Sequence, residues 1–164
     1  MSEHLRLELS AMLDHYDQAR RALEARKQAV KAEDALFLER FAELRRDVVR
    51  PVFAAVGKML TERGHQFSIR EGEYSSENGG KSTEAEIELR VAPAGMESAA
   101  AADDHLRVLS FSTRHYNKTV CVRNGADPRA GELAGAKGAY ALAQINTQLV
   151  EDEVLKLVAS LVRA

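Results

Sequence analysis

A chain of 164 residues with 45% hydrophobic and 29% charged side chains is too apolar to be disordered and long enough to bury most of its surface in one core. Its net charge of −2, with neither half strongly basic, argues against a dedicated nucleic-acid binder, and its one cysteine, Cys121, excludes an intramolecular disulfide. No apolar run approaches the roughly 20 residues that cross a bilayer, and the N-terminus alternates leucine with charge instead of carrying a signal peptide's apolar block, so a cytoplasmic, non-membrane protein is expected.

From Glu3 to Arg63 the only glycine is Gly57 and the only proline is Pro51, while Ala, Leu, Glu, Arg and Lys dominate. Those residue types have the best helix propensity, which predicts a helical region. Leu5, Leu9, Met12, Tyr16, Ala19, Leu23, Arg26, Val30, Glu33 and Phe37 alternate spacings of four and three, the heptad seam of a coiled coil. The seam is imperfect, because Arg26 and Glu33 occupy seam positions and its middle is rich in alanine. Beyond it, Leu36, Phe41, Leu44, Val48, Val49, Val52, Phe53, Val56, Met59 and Leu60 form a broader apolar face, as on a helix that packs on a core. The expected division is a helical oligomerisation arm over 1–32 and an α+β head over 33–164. Residues 31–34 read either as a turn capped by Asp34 or as continuous helix. Pro51 predicts a kink and disfavours helical geometry at Arg50, and Gly64 is placed to end the helix.

After Gly64 the hydrophobic period changes from 3.6 to 2. Gln66–Glu71 sets Phe67 and Ile69 on one face, and 84–91 alternates Ala85, Ile87, Leu89 and Val91 with Glu84, Glu86, Glu88 and Arg90. The connection 72–83 is too short for a helical crossover, so these two strands pair antiparallel. Residues 106–113 and 118–123 predict a second hairpin around Arg114–Asn117. Leu106 and Val108 oppose Leu109 and Phe111 across their strand, which suggests a sheet covered on both faces. Glycine-rich 124–138 reads as a long loop and 140–145 as a fifth strand. Asn146 or Thr147 caps a last helix with Glu151, Asp152 and Glu153 in its first turns. The fold class is α+β: an antiparallel sheet of four to five strands packed by a preceding and a C-terminal helix.

The chemistry-bearing residues assemble into no fingerprint. Gly79-Gly80-Lys81-Ser82 resembles part of a phosphate loop, but Ser75 stands where that loop needs glycine and a strand follows in place of a helix; a hairpin turn is the reading. His4, His15, His65, His105 and His115 show no metal-ligand spacing. Glu84, Glu86 and Glu88 read as a solvated sheet face, and Cys121, six residues from His115, as a packed sheet residue. In 124–138, Gly135 and Gly138 with Arg129 and Lys137 could grip an anion or other small ligand, against the plainer reading of a surface loop. Arg20, Lys27 and Lys31 lie at helical spacing and could meet a polyanion or acidic partner; with no aromatic residue interleaved to stack bases, a solvated coiled-coil flank is the plainer reading.

With no nucleophile–base pair, metal cluster or cofactor motif, catalysis ranks third and no cofactor or metal is expected. First comes a non-enzymatic interaction or scaffold module that forms a homodimer, or meets another protein, through the seam Leu5, Leu9, Met12, Tyr16, Leu23 and Val30. The alternative is a small-molecule-binding domain whose sheet–helix pocket is gated by loop 124–138.

Overall fold

The computed structural model describes residues 2–76, 82–95, 106–125 and 138–162. The chain divides into two compact units, Met1–Leu36 and Phe37–Ala164. The first is helix alone: α1 runs over Glu3–Leu44, so residues 31–34 are continuous helix, and none of its described residues up to Leu36 is buried. The hydrophobic core belongs entirely to the second unit.

That core begins with the end of α1. Phe37, Phe41, Arg45, Val49, Phe53, Gly57 and Leu60 are the buried positions along the helical region, almost all at spacings of four. In an α-helix each such step overshoots a full turn by about 40°. A π-turn over Arg45–Val49, followed by α2 over Arg50–Glu62, takes up part of this drift, because its wider turn brings four-spaced residues closer to alignment. The same turn resolves the proline. Pro51 lacks the N–H that would close a regular turn and its ring would crowd the preceding carbonyls. The π-turn spreads those carbonyls, with Arg50 N–H donating to Arg45 O. The sequence expectation of lost helical geometry at Arg50 is therefore corrected, since Arg50 sits at φ −60° and ψ −43°.

Gly64 ends α2 as expected. Its φ of +86° suits glycine, while His65 N–H donates to Leu60 O at 3.0 Å and Gly64 N–H to Thr61 O at 3.0 Å, a Schellman pair. The chain then enters an antiparallel meander: β1 (Gln66–Gly72), β4 (Glu86–Ala92), β5 (Arg107–Arg114), β6 (Thr119–Gly125) and β7 (Ala139–Tyr140) lie side by side in that order. A separate two-residue ladder, β2 (Ser75–Ser76) with β3 (Ser82–Thr83), closes the connection from β1 to β4. The register sets Ile87 beside Phe111 and Phe111 beside Val122, an apolar row that ends at the β1 edge on Glu71, whose carboxylate pairs with Arg50 at 2.8 Å. Leu89 and Leu109 continue that face, and Phe53 packs its ring 6.1 Å from Phe111.

The C-terminal helix α3 (Thr147–Val162) lays Val150, Val154 and Leu157 into the same core. Asn146 is its cap, since Leu149 N–H donates to Asn146 Oδ1 at 2.9 Å. The fifth strand is shorter than 140–145 suggests. Pairing stops at Tyr140, and Leu142–Gln144 form a 3-10 turn closed by Ala141 N–H on Gln144 Oε1 at 2.8 Å. The alternation there is too brief to distinguish strand from turn.

The other sheet face carries Ser68, Arg70, Glu86, Glu88, Arg90, Ser110, Ser112 and Arg123, with Ala92, Val108, Cys121 and Ala139 among its apolar members. Arg90 Nε binds Glu88 Oε1 at 2.9 Å and Arg70 stands opposite Glu88. Val108 stands between Arg90 and Gly125, so this face is mostly polar, although Ser110 and Cys121 on it are buried. Among the described residues no helix is long and apolar enough to cross a membrane.

Candidate functional site

Unit 1 presents the first candidate. Its apolar seam faces solvent: Leu5 is 52% exposed, Leu9 44%, Met12 65%, Tyr16 63%, Leu23 53% and Val30 52%. Single exposed apolar residues are ordinary on a surface, but six at heptad positions along one helix make a stripe, interrupted at Arg26. Arg20, Lys27 and Lys31 are exposed on the same helix. Arg20 lies 3.7 Å from Asp17, an exposed pair one turn apart that holds little energy.

The second candidate is a polar cluster where β4 begins. Glu84 Oε1 contacts His115 Nδ1, and Glu84 Oε2 accepts from Thr113 Oγ1 at 2.9 Å and from His115 N–H at 3.3 Å. With a carboxylate oxygen as partner, Nδ1 is the nitrogen that donates in this contact. Tyr74 and Tyr116 stand 5.0 and 6.3 Å from the imidazole, centroid to centroid. Thr113 is in turn locked by backbone, with Ala85 N–H donating to its Oγ1 at 3.0 Å and its own N–H donating to Ala85 O at 2.9 Å. The arrangement orients one imidazole as a base would be oriented, yet Thr113 is 1% exposed and so its hydroxyl lies out of a substrate's reach. Glu84 is thus no member of a solvated acidic ladder. It fastens the β5–β6 turn to the start of β4, a contact between residues too distant in sequence for any spacing rule to show. Among the described residues no group of three or more His, Cys, Asp or Glu side chains could hold a metal.

The third candidate is a cavity of 320 Å³ between β6, β7 and α3, lined by Asn124, Gly125, Gly138, Tyr140, Glu153 and Lys156 among others. Glu153 is buried, 8% exposed, and its carboxylate accepts from Asn124 Nδ2 at 2.8 Å and from Lys156 Nζ at 3.2 Å. The Glu153 carboxylate, as hydrogen-bond acceptor and as charge, holds the Lys156 ammonium above its ordinary pKa. Gly138, one of the expected ligand contacts, is buried at this rim and its carbonyl accepts from Val122 N–H at 2.8 Å. Arg129, Gly135 and Lys137 lie outside the described residues. The structure therefore brings Gly138 to the cavity, and Asn124, Glu153 and Lys156 are lining residues that sequence spacing did not single out.

One buried cation is structural. Arg45, 8% exposed, donates from Nη1 to Gly72 O at 3.0 Å and Glu86 O at 3.2 Å, the last pair of the β1–β4 ladder, and from Nη2 to Glu73 Oε1 at 2.5 Å. Its guanidinium also lies 5.8 Å from the Phe41 ring. Its place in the phase Phe37, Phe41, Val49, Phe53 was the available signal: a charge on a buried stripe needs a partner.

Set beside protein-family models, curated proteins and solved structures, the chain matches none of them.

Proposed function

We propose that the protein is a non-enzymatic interaction module that associates as a homodimer through the arm. The observation that carries this reading is the exposed seam Leu5, Leu9, Met12, Tyr16, Leu23 and Val30 on a helix unit none of whose described residues is buried. A long helix in water draws most of its stability from burying an apolar face, and a seam of mean period 3.5 is shaped for another helix. Two-fold closure between identical chains is the commonest way to supply one. A double variant, Leu9→Asp with Leu23→Asp, tests it by light scattering on the intact chain. Dimeric parent protein and a monomeric variant support the reading, and an unchanged mass for both removes the seam as its basis.

The cavity beside Glu153 supports a second reading, a small-molecule-binding domain in which loop 124–138 controls entry. Its volume falls within the range of small-ligand sites, and Asn124, Lys156 and Tyr140 supply a few convergent polar groups on an otherwise mixed wall. Thermal-shift screening of polar metabolites against the parent and Lys156→Met supports it if a hit raises the melting temperature of the parent alone. A screen without hits leaves the cavity as a gap between elements.

A further inference from the structure

We propose that the arm pairs with that of a second copy in antiparallel orientation, in the register that sets Met12 level with Val30, Tyr16 level with Arg26, and Ala19 level with Leu23. This inference rests on the homodimer reading and specifies its geometry.

The seam separates into two kinds of core position. Leu9, Tyr16, Leu23 and Val30 occupy one (a), and Leu5, Met12, Ala19, Arg26 and Glu33 the other (d). In a parallel in-register pair every layer meets its own copy. Arg26 would face Arg26, Glu33 would face Glu33, and Ala19 would face Ala19, giving two like-charge layers and one underfilled layer. In an antiparallel pair the a positions of one chain face the d positions of the other, so no residue meets itself in the core.

The chosen register improves each difficult layer. The Arg26 guanidinium comes against the Tyr16 ring, a favourable cation–π geometry for a residue that is 63% exposed in the single chain. The small Ala19 is set against the larger Leu23, and Met12 against Val30, so layer volumes even out. Glu33 meets Leu9, where its aliphatic stem can cover the leucine while the carboxylate reaches water. On the flank Arg6 comes beside Asp34 of the second copy. Sliding by one heptad toward the N-terminus sets Arg6 beside Lys27 instead and moves Arg26 from Tyr16 to Leu9. Charge complementarity therefore selects the first register over the second. Its cost is Arg20 flanking its own copy near the centre, where Asp17, 3.7 Å away on the same helix, offsets the repulsion.

Cysteine cross-linking of the full chain tests the orientation. The one native cysteine, Cys121, is 2% exposed and does not compete. In the proposed register two Met12→Cys sulfurs are about 27 Å apart along the axis, at 1.5 Å per residue, as are two Val30→Cys sulfurs. Each single variant should then stay uncross-linked under mild copper-catalysed air oxidation. An equimolar mixture of the two, re-equilibrated before oxidation, should give at least ten times more covalent dimer than either alone. Cross-linking of Met12→Cys by itself overturns the proposal in favour of a parallel pair. Cross-linking of Met12→Cys to Leu23→Cys in preference to Val30→Cys overturns the register. Either result leaves the homodimer standing, whereas a monomeric parent chain at the same concentration removes the homodimer itself.

Discussion

Replacing Arg45 with methionine should unfasten the end of the β1–β4 ladder from the helical layer. Methionine keeps an aliphatic stem against Phe41 but donates nothing, so Gly72 O and Glu86 O lose charge-assisted hydrogen bonds of 3.0 and 3.2 Å. At the low end of such bonds, about 1.5 kcal/mol each, their loss comes to about 3 kcal/mol. The Glu73 contact adds under about 1 kcal/mol, because that side chain is 74% exposed and its pairing is weakened by water. Urea unfolding followed by circular dichroism reads the change. With a slope of about 2 kcal/mol/M, the midpoint should fall by about 1.5 M. Glu73→Ala serves as the control and should shift it by less than about 0.5 M. If Arg45→Met lies within about 0.3 M of the parent, the guanidinium is not the fastening described here.

Two further predictions concern the head. A Cβ on Gly57 would come within 2.3 Å of the Phe67 ring, so Gly57→Ala should destabilise the parent by about 1 kcal/mol. In a Phe67→Ala background, where only the helix propensity of alanine remains, the same change should instead stabilise by up to about 1 kcal/mol, and urea midpoints across the double-mutant cycle that fail to reverse sign contradict the close contact. Lys156 titrates above its ordinary range because of Glu153, so its contribution is full below about pH 10.4 and is lost as pH rises through the raised value. The stability gap between parent and Lys156→Gln should therefore stay constant up to about pH 10.4 and narrow above it, and a gap independent of pH would contradict the Glu153 pairing.

The parts of the fold that sequence pattern reveals are those governed by local periodicity and backbone chemistry. The helical region follows from propensity, though not the continuity through 31–34; the alternation over 84–91 marks the strand that runs over Glu86–Ala92, Gly64 marks the helix stop, and the caps offered at Asn146 and Thr147 mark the last helix. Features set by long-range contacts are illegible in the same pattern. Glu84 alternates like its neighbours and shows its meaning only when the hairpin returns His115 to it. Glu153 reads as one of several acids in a first turn until Asn124 of β6 accounts for its burial. The π-turn lies between these cases: Pro51 announces a disturbance, and the four-spaced run from Phe37 to Gly57 indicates its direction. For the candidate sites the asymmetry is the same. The arm's seam is visible because it is local and periodic, while the cavity at Gly138 is assembled by three separate elements.

Sedimentation equilibrium on the intact chain and on a chain lacking residues 1–32 tests the central claim most directly. The intact protein should sediment at about twice the 18.1 kDa chain mass and the truncated one as a folded monomer, since among the described residues the buried core lies at or beyond Phe37. An intact chain that sediments as a monomer at high micromolar concentration, or a truncated chain that still dimerises, would contradict it.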